Sequence, residues 1–479
     1  MKKSLLILFL LFLTSKIFAQ SFAQYNTGTL YDSFENPAQR AFIPDSSRKF
    51  AINLFVPNLD ASFTLSGDAQ QTLKNRAFNN YYLNNALNIG SGTHYNYLLA
   101  NANAYPIMFK MFTSFNGDAE LGFFVQSKAE TRGVITDESV ALFNGAGSFP
   151  NDSYTNVLNS RYQFQIYNEV GFTYREQITK QFALGFKLAY IAGYESGKVN
   201  IGQSSVSFDH TADTAVIALQ GESLKTGYVN TQPFKDPGMS FSLGTMFRTW
   251  DGFLLQANIK DLGFIHWDRF VDIYDFSGSA DITDLISSAR ESAVANAYNS
   301  IITHGKIEDY AYTTPTDGRA ELSVSKMLWA NDDNTLKYTP TLITSKELFY
   351  TGFIAALANP ITYNDKYTLT LTGSYTDMKV FNLGLQFMIK SPNAEFFIGT
   401  SQLPSSFSLV SAATKNQSAI NSMSSFTGGA ISLGFSLKFG DVVEHPMNSS
   451  IIPLDPDQGL IGRLWRKIFK PNDGTIQNY

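Results

Sequence analysis

The stretch from Met239 to Trp267 consists of two alternating runs of residues separated by Asp251-Gly252. A period of two places successive side chains on opposite faces of a β-strand, and Asp-Gly between two such runs is a strong signal for a tight hairpin. One face of each run is almost continuously apolar, and the other is mostly small, polar or charged. The stretch therefore predicts two antiparallel strands. The outward, apolar set is Met239, Phe241, Leu243, Phe247, Phe253, Leu255, Ala257 and Ile259.

The same alternation recurs along the chain, most clearly from Phe182 to Tyr194. In a soluble sandwich the two faces would meet core and solvent; in a secreted chain with long strands they meet lipid and a polar lumen. We therefore predict an all-β fold, a transmembrane antiparallel β-barrel of about 14 strands (roughly 12 to 16), over residues 48–440. The length also allows two soluble β domains of roughly 200 to 250 residues each, but no linker divides the chain.

Residues 1–19 have the form of a cleavable signal peptide. Lys2 and Lys3 precede an apolar run from Leu5 to Leu13, and Ala19 offers a cleavage point, although Ile17 is larger than the usual residue there. Nothing later approaches the roughly 20 apolar residues of a transmembrane helix. The expected location is the cell outer membrane, in contact with its lipid and lipopolysaccharide.

The composition excludes several classes of protein. The chain has no cysteine, which rules out disulfides, thiolate metal sites and a lipid-modified cysteine. A net charge of −5 argues against a general nucleic-acid binder. Forty Phe and 24 Tyr suit the aromatic girdles of a barrel, and 34 Gly suit its turns and lumen.

The segment 20–47 shows no periodicity and carries Asn36, Pro37 and Ala38 between Glu35 and Arg40. A segment of this kind in front of a barrel suggests a plug or lead-in. The alternative is a disordered terminus.

Connection lengths test the barrel hypothesis, because such barrels keep short turns on the periplasmic side and long loops outside. Short turns around Asn116, Gln177 and Asp251 place the connections Thr131 to Ser160 and Asp268 to Arg319 outside, provided that Lys198 to Phe208 and Thr214 to Leu219 are two further strands. Near the end of the chain, a short turn at Ser391 to Asn393 and a long connection from Gln402 to Gly428 fit the same rule. Within the second external connection, Asp281 to Tyr298 has helix-forming residues and a possible cap at Asp281.

Motifs for catalysis or cofactors are absent. The five histidines stand apart, without metal-ligand spacing, and no phosphate loop or nucleophile elbow is present. We predict a protein that is not an enzyme and has no cofactor or metal. Lys187, Arg248 and Lys260 are candidate lumen-lining residues, and His266-Trp267 suggests an interfacial belt.

The tail 441–479 predicts a periplasmic amphipathic helix. Pro446, Pro453 and Pro456 argue against further strands, Asp455-Pro456 forms a helix start, and Pro471 marks the end. Such a helix suits a membrane surface or a groove on an outer-membrane or periplasmic protein partner; the alternative is a helix that caps its own barrel. Its apolar face comprises Leu460, Ile461, Leu464, Trp465, Ile468 and Phe469, and its basic face Arg463, Arg466, Lys467 and Lys470.

Three stretches resemble a known family. They are the Asn36-Pro37-Ala38 lead-in, the segment from Glu169 through Lys198 with its glycines, and the run from Lys260 to Trp267 followed by Phe276 to Ser279. Together they resemble an uncharacterised outer-membrane barrel family of Bacteroidota, a domain of unknown function. That family is distantly similar to the long-chain fatty-acid transporter barrels and to secretion-system barrels of the PorV type. The resemblance covers Tyr31 to Phe439 and implies the fold and the compartment, but no known activity.

Two functions remain open. One is passive transport or binding of hydrophobic or small solutes across the outer membrane. The other is a non-transporting barrel that acts as a scaffold or partner subunit of a secretion or assembly complex. A plug with an apolar lumen pocket favours the first, and a sealed lumen with an aromatic lipid-facing seam favours the second.

Overall fold

The computed structural model describes residues 26–43, 47–53, 56–79, 87–113, 118–226, 236–268, 271–304, 306–308, 311–377, 380–414, 427–442 and 461. Within them, 22 strand segments form one antiparallel sheet. The predicted signal peptide lies outside the described residues, and so does the tail except for residues 441, 442 and 461.

The strand segments are, in chain order, β1 Arg48–Ile52, β2 Asn58–Ser66, β3 Tyr95–Phe112, β4 Ala119–Thr136, β5 Ser153–Thr155, β6 Arg161–Gln177, β7 Phe182–Asp209, β8 Thr214–Thr226, β9 Asp236–Arg248, β10 Phe253–Trp267, β11 Val271–Ile282, β12 Lys306–Glu308, β13 Tyr312–Pro315, β14 Arg319–Lys326, β15 Trp329–Ala330, β16 Leu336–Tyr338, β17 Thr341–Glu347, β18 Phe353–Tyr363, β19 Tyr367–Thr376, β20 Phe381–Lys390, β21 Ala394–Thr400 and β22 Thr427–Val442. The helices are α1 Asp32–Glu35, α2 Gln70–Asn79, α3 Asp137–Leu142, α4 Arg290–Ile302 and α5 Leu403–Thr414, with a 3₁₀ turn at Ala146–Ser148.

Several neighbouring segments continue one another across short breaks and together cross the barrel once. β1 continues into β2, β5 into β6, β8 into β9, β10 into β11, β12 through β15, and β16 into β17. The wall therefore has 14 crossings, as predicted. The sheet closes because β22 pairs with β21 on one side and with β1 and β2 on the other, through pairs such as Arg48 with Val442 and Leu59 with Leu433.

The central hairpin is confirmed. β9 and β10 pair in antiparallel register, from Leu254 opposite Arg248 upward, and Gly252 takes a φ of 82° in the turn. Met239 and Phe241 are 51% and 39% exposed, whereas Ser240 and Ser242 between them are buried. Apolar side chains thus cover the outside of the wall and small polar ones face the lumen, which is the arrangement of a membrane-spanning barrel.

The predicted grouping of turns is confirmed. The short links 178–181, 249–252, 364–366 and 391–393 lie at one end of the barrel, together with Arg48 and Val442; we name this the short-turn end. The described parts of the long connections, residues 67–79, 87–94, 137–160 and 401–414, and the helix α4 lie at the other, long-loop end. The residues of the Asn116 turn fall outside the described residues, but β3 and β4 on either side of it pair as expected.

The outer part of the barrel differs from the prediction. Lys198 to Phe208 is not a separate strand, because β7 runs without a break for 28 residues from Phe182 to Asp209. The later residues of β7 pair with β8. The strand β4 runs on to Thr136 and so includes the first six residues of the predicted loop that starts at Thr131. Part of the second predicted connection is also strand, since β11 pairs with β8 along its full length. These long segments form a high wall on one side of the long-loop end.

The helix in this region begins later than predicted. Asp281, the expected cap, pairs with Val216 near the end of β11, and the helix α4 runs from Arg290 to Ile302. The residues up to Ile282 form a strand in spite of their helix propensity, because β8 provides backbone hydrogen-bond partners for them. Helix α4 then packs Val294, Ala297 and Ile301 against that wall.

A bulge in β10 reverses the prediction for Trp267. The register shifts between Ile259 and Leu262, and Asp261 adopts a left-handed φ of 52°. Residues after the bulge exchange faces, as a one-residue register change requires. Trp267 consequently points inward, is fully buried, and donates a hydrogen bond from Nε1 to Thr314 Oγ1 at 2.8 Å, so it is no part of an interfacial belt. Among the described residues, no helix is long and apolar enough to cross a membrane.

Candidate functional site

The segment 26–43 forms a loop inside the barrel, which we name the lumenal loop. It starts near Ser325 and Lys390, close to the short-turn end, and it returns to that end at Arg48. Its short helix α1 is fully buried. Phe34 packs edge-on against Phe124, with ring centroids 5.7 Å apart, and Tyr31 packs against Tyr105 at the same separation. The loop fills the short-turn half of the lumen, where its apolar side chains form one cluster with those of the wall.

The predicted Asn-Pro-Ala motif makes the tip of this loop. Asn36 Oδ1 accepts a hydrogen bond from the Ala38 amide at 3.1 Å, which closes a tight turn around Pro37. The Asn36 amide group donates to Gln256 Oε1 at 2.9 Å. The Ala38 carbonyl accepts from Arg175 Nε at 2.8 Å. Each residue of the motif is therefore held by its own turn or by the wall.

Two wall glycines make room for the tip. A Cβ atom at Gly185 would lie 2.0 Å from the Pro37 carbonyl oxygen, and one at Gly244 would lie 2.2 Å from Asn36 Oδ1. Neither position tolerates a side chain without displacing the loop.

Cationic side chains of the wall donate to backbone carbonyls of the loop. Lys438 Nζ lies 2.7 Å from the Ala41 oxygen, Lys390 Nζ lies 2.6 Å from the Gly28 oxygen, and Lys110 Nζ lies 3.3 Å from the Ser33 oxygen. A buried loop needs partners for its carbonyl groups, and here the barrel supplies them.

A network of buried charges joins the loop to the middle of the barrel; we name it the central network. Lys260 pairs with Glu35, and Lys187 lies 3.2 Å from Asp261 and 3.8 Å from Glu169. Lys128 also pairs with Asp261. Three lysines and three carboxylates balance, so each buried charge has a partner of opposite sign. The left-handed Asp261 of the β10 bulge lies at the centre of this network.

The three predicted lumen-lining residues do not all belong to one cluster. Lys187 and Lys260 both belong to the central network through Asp261 and Glu35. Arg248 lies apart from them, exposed at the short-turn end of β9. The sequence did not single out Lys128, Glu169 or Asp261. Lys128 and Glu169 could have been found as charged residues on the inner face of alternating strands, whereas Asp261 depends on a bulge that alternation does not reveal.

A second group of charges lies towards the long-loop end. Arg132 lies 2.8 Å from Asp317 and 3.1 Å from Glu347, and Arg319 also pairs with Asp317. The Arg132 guanidinium stacks on the Tyr350 ring, 4.0 Å from its centroid. Arg132, Arg319 and Glu347 border a lumenal space of about 100 Å³, the outer chamber, which is also lined by Asn382, Ser374, Ser401, Gln402 and Thr64.

An apolar cavity of about 320 Å³ lies at the long-loop end, between the barrel rim and the outer connections. Helix α3 contributes Val140, the high wall contributes Ile201, and helix α4 contributes Tyr298. Burial raises the pKa of Tyr298 above its usual value, so this phenol stays uncharged. The other apolar lining residues are Leu73, Ile135, Phe143, Tyr162 and Val199.

The structure brings His94 together with two carboxylates, which its isolated position in the sequence did not suggest. Potential ligand atoms of Asp68, His94 and Asp137 lie within 4.8 Å of one another. The carboxylates already accept hydrogen bonds: Asp137 from Asn88 and Asn96 at 2.8 and 2.7 Å, and Asp68 from Asn88 at 2.8 Å. Burial raises the pKa of Asp137, and these bonds oppose the rise. The group ties the connection 67–94 to helix α3.

Of the predicted docking helix, only Ile461 lies among the described residues. Its amide donates to Glu176 Oε2 at 2.8 Å, which places this residue at the short-turn end of β6. The remaining residues of the predicted apolar and basic faces lie outside the described residues.

Residues 41–401 match a protein family described as a family of unknown function, DUF5723. The chain belongs to this family. The match confirms the resemblance found in the sequence to an uncharacterised barrel family. No curated protein sequence matches the chain significantly.

Solved structures with a similar fold include hydrocarbon channels. The TodX deltaS2S3 mutant monoaromatic hydrocarbon channel aligns with a TM-score of 0.41 and 8% identity over 89% of this chain and 96% of its own. The Ralstonia pickettii toluene transporter TbuX gives 0.40 and 10% over 85% and 93%. A Pseudomonas aeruginosa FadL homologue gives 0.40 and 12% over 87% and 95%. Sequence identities this low show a similarity of fold alone.

Proposed function

We propose that this protein is an outer-membrane barrel that binds small apolar solutes at its long-loop end and lets them pass when the lumenal loop moves. In this proposal the short-turn end faces the periplasm and the long-loop end faces the outside, as connection lengths in outer-membrane barrels indicate.

The observation that carries the proposal is the apolar cavity beside Val140 and Tyr298. Ligand sites are concave and mostly apolar, and this cavity has room for a compact aromatic or short aliphatic molecule. It lies at the end where a solute from outside would arrive. Its largely apolar walls, in which Arg161 is the charged residue, favour the transfer of an apolar molecule out of water.

The lumenal loop sets the condition for passage. Below the cavity, the loop and the central network fill the short-turn half of the lumen. A solute therefore reaches the periplasm only if the loop shifts. Because both ends of the loop lie at the short-turn end, the tip can withdraw towards that end without unthreading the chain.

Filling the cavity tests the proposal. Val140→Phe adds an aromatic ring to the cavity, and we expect the affinity for phenylnaphthylamine, an uncharged fluorescent probe, to fall about tenfold, or ~1.4 kcal/mol. The measurement is a fluorescence titration of the purified, heat-modifiable barrel.

The matched control is Val216→Phe. Val216 lies on β8 and is 42% exposed, so the same enlargement leaves the cavity unchanged and should leave the affinity unchanged. Equal affinities for Val140→Phe and the unmodified protein would show that the probe binds elsewhere and that the cavity is no ligand site.

A second candidate is a non-transporting subunit of an outer-membrane complex. The observation that favours it is the density of contacts on the lumenal loop, whose carbonyls are held by Lys110, Arg175, Lys390 and Lys438. A permanently sealed lumen needs no ligand. To test this candidate, the protein is purified from native membranes in mild detergent. Recovery of a protein partner in stoichiometric amount supports the second candidate, provided that the Val140→Phe variant recovers the same partner equally well.

A further inference from the structure

Three neighbouring strands of the wall end together at the long-loop end. β3 pairs with β2 on one side and with β4 on the other. Asp68 lies two residues beyond the end of β2, His94 directly precedes β3, and Asp137 directly follows β4. The Asp137 amide donates to the His94 carbonyl oxygen at 3.1 Å, which continues the ladder by one more bond. The register of the sheet therefore brings together three side chains that lie far apart in the sequence.

The spacing of these side chains suits a metal ion. His94 Nδ1 lies 3.4 Å from Asp68 Oδ2, and a ligand atom of Asp137 lies within 4.8 Å of ligand atoms of both. Zinc binds imidazole nitrogen and carboxylate oxygen at about 2.0–2.2 Å, so two ligands of a tetrahedral zinc site lie about 3.3–3.5 Å apart. Asp68 and His94 already have this separation, and Asp137 supplies a third ligand.

Neighbouring groups hold the two carboxylates in place. Asn88 donates from Nδ2 to Asp68 Oδ2 and from its backbone amide to Asp137 Oδ2, both at 2.8 Å. The buried Asn96 donates from Nδ2 to Asp137 Oδ1 at 2.7 Å. Each carboxylate oxygen has two lone pairs, so one remains for an ion. Hydrogen bonds of this kind orient the ligating carboxylates of metal sites.

The carboxylates here lack a positively charged partner other than the imidazole. Asp137 and the adjacent Glu138 are fully buried. Among the described residues, neither lysine nor arginine forms an ion pair with Asp68, Asp137 or Glu138. Glu138 Oε1 accepts from the amides of Gly90 and Gly92, in the segment before β3, whereas its Oε2 is buried without a hydrogen-bond partner. Buried charges in proteins are usually paired or coordinate metals, and a divalent cation would balance these.

We propose that Asp68, His94 and Asp137 bind Zn²⁺ at the long-loop end. An imidazole ligand favours zinc, whereas calcium and magnesium prefer oxygen ligands alone. Three protein ligands leave the fourth position of a tetrahedral site to water. The ion fastens the end of β2 and the segment before β3 to helix α3. None of the three ligands lines the apolar cavity, so this inference does not rest on the proposed function.

Zinc titration of the purified protein tests the site. The protein is prepared without a histidine tag, stripped of metal with a chelator and kept in detergent. Isothermal titration calorimetry with Zn²⁺ should show one saturable site per chain. We expect His94→Ala to weaken binding by more than about 100-fold, because loss of an outer-shell partner alone costs about 10–100-fold. Asp68→Asn removes a ligand charge but can still accept the hydrogen bond from Asn88, and it should also weaken binding.

The matched control is His210→Ala. His210 Nε2 lies 3.6 Å from Asp152 Oδ1, so this pair resembles that of His94 with Asp68. Within the part of the chain that the structure describes, it has no third ligand. This variant should bind Zn²⁺ with unchanged affinity. Heat-modifiability verifies that each variant is folded.

A second measurement tests whether the ion fastens helix α3. Zn²⁺ should slow amide hydrogen exchange in residues 137–142 of the unmodified protein and of His210→Ala, but not of His94→Ala. Zinc binding without this slowing would overturn the role of the ion as a clamp.

Three results overturn the site itself. They are the absence of a saturable Zn²⁺ site, equal affinity in His94→Ala and the unmodified protein, and tighter binding of Ca²⁺ than of Zn²⁺. The second result would assign the zinc to other groups, and the third would show that the imidazole is no ligand. None of them depends on whether the apolar cavity binds phenylnaphthylamine.

Discussion

Lys260, on the inner face of β10, forms an ion pair with Glu35, at the end of the lumenal helix α1. The Glu35 carboxylate also accepts hydrogen bonds from the Tyr105 hydroxyl at 2.7 Å and the Asn103 amide at 3.0 Å. One carboxylate thus joins the loop to two separate parts of the wall. The position of the loop in the lumen depends strongly on this contact.

Removing the cation should loosen the loop. Lys260→Met leaves the buried Glu35 carboxylate without its nearest partner, which costs about 3–5 kcal/mol in buried pairs. We expect more frequent and larger openings in planar-bilayer conductance recordings. Lys337→Met is the control, because its partner Asp365 is 70% exposed and such pairs contribute about 0–1 kcal/mol. Identical recordings for Lys260→Met and Lys337→Met would contradict a latching role for the ion pair.

A single methyl group at Gly185 should displace the tip of the loop, since its Cβ would lie 2.0 Å from the Pro37 oxygen. We expect Gly185→Ala to increase conductance and to expose the loop to protease. Gly202→Ala, on the same strand, is the control, because its nearest neighbouring atom is 3.9 Å away. If both variants behave like the unmodified protein, the tip does not rest on β7.

The two faces of β19 should differ sharply in their tolerance of charge. Leu371 is 45% exposed on the lipid side, and Thr372 is buried on the lumenal side. An arginine on the lipid face near midplane costs about 2–4 kcal/mol. Leu371→Arg should therefore reduce the heat-modifiable, folded fraction far more than Thr372→Arg. The opposite order would reverse the assignment of faces.

The topology can be tested with single cysteines. Ser288→Cys lies just before helix α4, and Asp251→Cys lies in the β9–β10 turn; both positions are exposed. In intact cells a membrane-impermeant maleimide should label position 288 at once, and position 251 only after the outer membrane is opened. Labelling in the reverse order would place the short-turn end outside.

Deletion of residues 455–479 tests the tail. Ile461 donates its amide to Glu176, but that contact replaces no strand pairing. We expect the truncated barrel to insert and remain heat-modifiable while it loses any association made through the tail. Failure to insert would make the tail a part of the fold.

Much of the wall could be predicted from alternation, because lipid and lumen impose opposite chemistry on successive residues. The hairpin at Asp251-Gly252 and the strand from Phe182 are the clearest cases. Alternation fails where the outside of the strand is no longer lipid. Lys198 to Phe208 therefore looked like a separate strand, although it continues β7 beyond the apolar pattern.

The site was predicted less completely, for a physical reason. Asn36, Lys187 and Lys260 stand out as a motif and as charges on alternating strands. Asp261 becomes inward-facing only through its left-handed backbone, and Glu35 gains its role only from contacts with residues far along the chain. Neither property is local, so neither leaves a periodic signal in the sequence.

The wall of the barrel has unequal height at its long-loop end. The 28 residues of β7 extend over about 90 Å at ~3.3 Å per residue, and the 7 residues of β21 over about 23 Å. A solute diffusing in water meets the tall side first, where the apolar cavity lies. A molecule diffusing within the outer leaflet meets the low side, where helix α5 ends the wall. Under the proposed function, strand length alone would therefore decide from which side a solute first meets the protein, before any side chain is touched.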